Sequence, residues 1–92
     1  MSGYIATSRW AALVFTARHA PYVLTKPLHA SLKLLKQDET GAIIRICVVL
    51  NFELERELLG FGEAMKVLSP RDLQKRISTR AAQTAALYHE MA

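Results

Sequence analysis

Four cations in this chain, Arg18, Lys33, Arg45 and Lys66, fall on one side of an alternating strand pattern, with no acid among them. Such a set attracts anions, and a nucleotide or a nucleic-acid strand is the natural class. No other group of residues is spaced for chemistry. His19, His29 and His89 lack metal-ligand spacing, and Cys47 stands apart from them, so no metal or cofactor is expected. A cysteine close to Arg45 could carry a lowered thiol pKa, but a cysteine in mid-strand is more commonly a small packing residue. Glu53, Glu55 and Glu57 follow the start and wet side of one helix, where carboxylates complement the helix dipole. There is no Ser-His-Asp or Cys-His arrangement, so an enzyme is not expected. Gly60-Phe61-Gly62 lacks the third glycine of a phosphate loop and follows a helix rather than a strand. It reads as a helix stop and a tight turn, with Phe61 plugging the core. Lys75, Arg76 and Arg80 are too few for a DNA-reading helix and read as a solvated face.

The chain around these residues has 92 positions, enough for one domain with a modest core. Its formal charge is +4, and Arg9, Arg18, Lys26, Lys33 and Lys36 all precede the first acid, Asp38. The hydrophobic fraction of 51% suits a folded domain and argues against disorder. The apolar run around Ile46 to Leu50 is too short for a bilayer. No apolar core or small-residue cleavage site follows Met1, so no signal peptide is expected. A single cysteine fits a reducing cytoplasm, and no membrane partner is expected.

The elements that must position the cations read as follows. Met1 to Arg9 is a tail or linker remnant, and residues 10–92 form the domain. Trp10 to Arg18 alternates as a strand. Pro21 opens a short helix to Lys26, and Pro27 stops it. His29 to Gln37 and Ala42 to Leu50 form a hairpin around the polar turn Asp38 to Gly41. Asn51 caps a helix that presents Leu54, Leu58 and Leu59 and ends at Gly60. Glu63 to Leu68 is a fourth strand. Ser69 caps, and Pro70 opens, a last helix with Leu73, Ile77, Ala81, Ala85 and Tyr88 along one side. The order predicts an α+β fold: a ferredoxin-like split βαββαβ antiparallel sheet with an added C-terminal helix.

Parity divides the sheet. Leu13, Phe15, Leu32, Leu34, Ile44, Ile46, Val48, Met65 and Val67 form the apolar face that the helices cover. The opposite face holds Val14, Thr16, Arg18, Ser31, Lys33, Leu35, Ile43, Arg45, Cys47, Val49, Ala64, Lys66 and Leu68. That mixture is too apolar for water alone. A second copy, a neighbouring domain, an anionic ligand or the last helix folded back could cover it.

The segment Leu59-Gly60-Phe61-Gly62, with Val67-Leu68-Ser69-Pro70 and Leu73, resembles the most recognisable stretch of the WCX-like C-terminal extension of WYL-domain bacterial transcriptional regulators. Ala20-Pro21-Tyr22-Val23 and the Pro-Leu-His-x-Ser run from Pro27 to Ser31 extend the likeness over nearly the whole chain. Leu32 departs from it, standing where relatives often carry Gln. The resemblance implies a regulatory domain that senses a ligand or assists dimerisation. Its partners would be the WYL domain and helix-turn-helix of a parent protein, a second copy, and a nucleotide or nucleic-acid effector. Neither a helix-turn-helix nor a Trp-Tyr-Leu tripeptide occurs in these residues, so the chain is expected to be one part of such a regulator. The alternative is a purely structural dimerisation module without a ligand.

Overall fold

A computed structural model describes residues 7–91 of the chain. The elements are β1 (Ser8–Thr16), α1 (Ala20–Thr25), β2 (Lys33–Asp38), β3 (Gly41–Val49), α2 (Phe52–Leu59), β4 (Met65–Ser69) and α3 (Arg71–Met91), with a short 3-10 turn over Gly62–Ala64. The fold is α+β, an antiparallel four-stranded sheet in the order β2-β3-β1-β4 followed by a C-terminal helix. Of the expected tail over 1–9, residues 1–6 lie outside the described residues, while Ser8 and Arg9 already pair with Val49 and Val48.

The core gathers where parity places it. Leu13, Phe15, Ile44, Ile46, Val48 and Val67 are buried on one sheet face, under Leu54 and Leu58 of α2 and Leu73 of α3. Burying each of these side chains stabilises the fold by about 1.5–3 kcal/mol. Phe61 meets Phe15 edge-on at 5.0 Å between ring centres, so it does plug the core. Gly62 at φ +58° supplies the left-handed residue that turns the chain from α2 toward β4. Gly41, at φ +148°, lies so close to β1 that a Cβ there would run into the Phe15 carbonyl oxygen. Asn51 caps α2 as expected, its Oδ1 accepting from the Leu54 N–H at 2.8 Å.

Four local expectations need correction. The second strand begins at Lys33 rather than His29, because His29 to Leu32 form a turn, closed by the Leu32 N–H on the His29 carbonyl at 3.1 Å, and the Ser31 side chain in it serves β3 directly: the Cys47 N–H donates to Ser31 Oγ at 2.7 Å. Leu34 is exposed rather than covered, since β2 is an edge strand that no helix reaches. Ala64 falls in the 3-10 turn, not the fourth strand. Ser69 does not cap α3; it ends β4 opposite Ala12, and the first helical bond of α3 runs from the Gln74 N–H to the Pro70 carbonyl.

The largest departure is Glu55. It was expected on the wet side of α2, yet it is fully buried between the two C-terminal helices. Arg76 Nε donates to its Oε2 at 2.6 Å and Arg80 donates to its Oε1 at 3.0 Å. Arg80 also lies 4.4 Å from the centre of the Phe52 ring. Arg76 and Arg80 are thus the clasp between α2 and α3 rather than a solvated face.

Candidate functional site

The face of the sheet opposite the core remains open. Leu73 of α3 is buried in the core cluster, and Gln74 donates to the Val67 carbonyl at 3.0 Å, so α3 runs on the helical side. The fold-back of the last helix over the open face is therefore excluded.

Arg45 sits at the centre of this face, on β3. Its register partner on β1 is Ala12, and Trp10 lies on the diagonal. The small Ala12 leaves room for the guanidinium to lie on the indole, with Arg45 Cζ 4.4 Å from the ring centre. Arg45 Nε is shielded from solvent and has no hydrogen-bond partner. A buried donor without an acceptor costs stability.

Lys33 stands directly opposite Arg45 across the β2–β3 ladder. Two like charges in that relation repel. The register then shifts between Leu34 and Lys36, which leaves Lys36 opposite Ile43. This bulge moves Lys36 onto the open face with Lys33 and takes Leu35 out of the strict alternation. Lys36 lies 3.7 Å from Asp38 at the hairpin end. Hydrogen bonds from the Thr40 side chain and backbone, aided by the charge of Lys36, hold the Asp38 carboxyl below its ordinary range.

Lys66 is opposite Val14 on β4, two strands from Arg45 and one pair further along, at about 12 Å between backbones. Arg18 does not join the sheet; it lies exposed in the turn after β1. The structure therefore brings Lys33, Lys36 and Arg45 together, with Lys66 at the far edge and Arg18 apart. Apolar surface fills the spaces between them: Val14 and Ile43 are half-buried, and Trp10, Val49 and Leu68 are exposed.

Cys47 shares the face and is half-buried. Its backbone is held by Ser31, which also receives a contact from His29: Nδ1 of His29 lies 2.8 Å from Ser31 Oγ and accepts the Ser31 N–H at 3.1 Å. The Pro27-to-Ser31 run is thus a structural hinge into β2. Among the described residues no three His, Cys, Asp or Glu side chains group as metal ligands. At the sheet's other border, Arg9 donates to both Asp72 oxygens, at 2.8 and 3.2 Å, tying β1 to the start of α3. Those hydrogen bonds hold the Asp72 carboxyl below its ordinary range.

Two site residues escaped the sequence pattern. Trp10 has the parity of the open face and could have been found by continuing the β1 alternation toward the N-terminus. Lys36 could not, because the bulge that rotates it has no glycine or proline to mark it.

These features define a small antiparallel-sheet domain with helices on one face and a basic, partly apolar opposite face. The chain belongs to the WCX domain family, whose model matches residues 7–85. No curated protein matches the chain. Among the described residues no helix is long and apolar enough to cross a membrane.

Proposed function

We propose that this chain is the C-terminal regulatory domain of a WYL-type bacterial transcription regulator, and that its open sheet face receives an anionic effector, a nucleotide or nucleic-acid strand. The observation that carries the reading is the Arg45–Trp10 pair with Lys33 opposite: an unsatisfied guanidinium nitrogen, a flat aromatic platform and an uncompensated second cation in one place. A phosphate would pair with the cations while a base stacked on the ring. Membership of the WCX family supports a parent protein with a WYL domain and a helix-turn-helix, working in the cytoplasm and without catalysis of its own. The element order β-α-β-β-α-β and the strand order β2-β3-β1-β4 support reading the sheet as ferredoxin-like, with α3 added.

Binding of a fluorescent single-stranded oligonucleotide to the chain, followed by anisotropy, tests the assignment. The double reversal Arg18→Glu with Arg45→Glu weakens binding and flattens its salt dependence. Arg45→Glu alone accounts for most of that loss, since Arg18 stands off the sheet. Parent-like binding by the double variant refutes the site.

The exposure of Val49 and Leu68 on the same face favours a second reading, in which the face pairs two copies without a ligand. Under that reading the oligonucleotide does not bind, and Leu68→Glu lowers the oligomeric state.

A further inference from the structure

A groove of about 610 Å³ lies on the helical side of the molecule, between the end of α2, the strand β4 and α3. That volume is typical of small-molecule sites, which run to roughly 300–1,000 Å³. Leu58, Leu59, Met65, Val67, Ile77 and Ala81 wall it. Leu59, Met65 and Ile77 are only half-buried and Ala81 is exposed, so apolar surface in the groove is left to water. The chain builds it by turning α3 back on β4 after Pro70. Gln74 Nε2 donates to the Val67 carbonyl at 3.0 Å, which fixes one end. The next turns of α3, through Ile77, Ala81 and Thr84, lead along Met65 to Gly62 and Glu63 at the other end. Small side chains at Ser78 and Ala81 leave the space between helix and strand unfilled.

Charge differs between the two ends. Lys66 lines the groove next to Val67 and is exposed. Arg71, Lys75 and Ser78 follow spacings of four and three, so they share one stripe of α3, and Ser78 is part of the lining. The exposed Arg71 and Lys75 therefore flank the Gln74 end. Asp72, close by in sequence, is turned to Arg9. Glu63 stands at the far end. An anionic head is drawn to the Lys66 end and repelled from the Glu63 end. Along α3 the lining extends from Gln74 to Thr84, a rise of about 15 Å. An extended hydrocarbon advances roughly 1.25 Å for each carbon–carbon bond of about 1.52 Å, so that length holds about twelve carbons.

We propose that this groove binds a medium-chain fatty acid, its carboxylate at Lys66 and its tail laid along Leu58, Ile77 and Ala81 toward Gly62. A sugar-bearing or many-phosphate ligand does not suit the walls, because their polar groups are already engaged: the Gln74 amide nitrogen serves the Val67 carbonyl, and the Thr84 hydroxyl donates to the Arg80 carbonyl at 2.9 Å. Burial of the tail supplies the affinity, and the ammonium of Lys66 sets the direction. Lys66 is also the far cation of the sheet face. One ammonium does not hold a carboxylate in the groove and a phosphate on the sheet at once, so the acid weakens oligonucleotide binding. That competition rests on the proposed function, whereas the groove does not.

The test is isothermal titration calorimetry of the 92-residue chain with monomeric dodecanoate, at about pH 8 where the carboxylate is charged. The parent binds one molecule per chain. Hexanoate, with half the tail, and dodecyltrimethylammonium, with the opposite head, bind at least about tenfold more weakly. Ala81→Phe fills the groove and weakens dodecanoate more than about tenfold, while Gln83→Phe, on the other side of the helix, leaves it unchanged. Both positions are exposed, so circular dichroism shows parental helix content in each. Lys66→Gln weakens binding by about fivefold or more. A parent that takes up no dodecanoate overturns the proposal, as does uptake that Ala81→Phe does not reduce. Equal affinity for the ammonium amphiphile, or parental affinity in Lys66→Gln, also overturns it. In the oligonucleotide assay, saturating dodecanoate weakens binding by the parent and not by Lys66→Gln; equal weakening in both overturns the shared lysine. A chain that takes dodecanoate but no oligonucleotide supports the groove and refutes the sheet face.

Discussion

Lys33→Gln should make the protein more stable and a poorer binder. Lys33 faces Arg45 across the ladder, and both side chains point to the open face. Directly opposed cations cost a pair of strands a few tenths to about 1 kcal/mol. Coulomb's law agrees: two unit charges at roughly 6 Å in water repel by about 0.7 kcal/mol. Removing one charge relieves about 0.5 kcal/mol, which in a domain of this size raises Tm by roughly 2–4 °C. Binding moves the other way. If Lys33, Lys36, Arg45 and Lys66 each neutralise one phosphate of a single strand, log K falls with log salt with a slope of about −2.8, and Lys33→Gln brings it to about −2.1. Thermal melting, with anisotropy titrations at three or more salt concentrations, reads both numbers. Lys26→Gln, exposed just beyond α1, is the control and changes neither slope nor Tm. A variant that binds with the parental slope refutes the placement of the anion between Lys33 and Arg45. A variant that loses stability shows that the lysine makes a favourable contact, and the repulsion argument falls.

Two further outcomes follow from the ion pairs. Breaking a buried pair costs about 3–5 kcal/mol; Arg76 and Arg80 are partly exposed and can turn to water, so Glu55→Ala is expected to cost about 2 kcal/mol in urea unfolding, while Glu53→Ala and Glu57→Ala stay within about 0.5 kcal/mol. Equal losses at all three positions would undo the clasp. Asp72, whose carboxyl Arg9 holds below the ordinary value, adds stability that is fully present above the unfolded carboxylate range near 3.9 and is lost as pH falls through the lower folded value. Because the pair is exposed, Asp72→Asn costs less than about 1 kcal/mol at pH 7 and flattens the acid limb of a stability profile between pH 7 and 3; an unchanged limb contradicts the assignment.

The parity of β1 and β3 was fully legible, because both strands have long alternating runs and lie at the centre of the sheet. Leu13, Phe15, Ile44, Ile46 and Val48 were placed on the core face from sequence and are there. Legibility failed at β2. An edge strand has one neighbour and no helix above it, so its leucines obey no burial rule, and a one-residue bulge reverses its phase. Lys36 entered the site by that route. Glu55 was missed for a different reason. A carboxylate in the first turn of a helix has a sufficient local explanation in the dipole, and only the approach of α3, 21 residues further along for Arg76, gives it partners. The resemblance over Phe61-Gly62 and Val67 to Leu73 rests on residues that, in this chain, form the turn after α2 and the packing of β4 and α3. It could not locate the site, since Trp10, Lys33 and Arg45 contribute nothing to that packing.

The clasp also explains why the open face stays open. The apolar stripe of α3 could lie against either side of the sheet, for Val14, Ile43, Val49 and Leu68 offer an apolar surface too. Glu55 decides between them: buried with its charge, it requires Arg76 and Arg80 beside α2, and α2 is committed to the core face by Leu54 and Leu58. With α3 held there, its basic middle is occupied by Glu55. Arg56, Arg71 and Lys75 stay exposed on the helical side, while Lys33, Lys36 and Arg45 share the uncovered sheet face. One buried carboxylate thus holds α3 beside α2 on the core side and leaves the opposite face of the sheet uncovered.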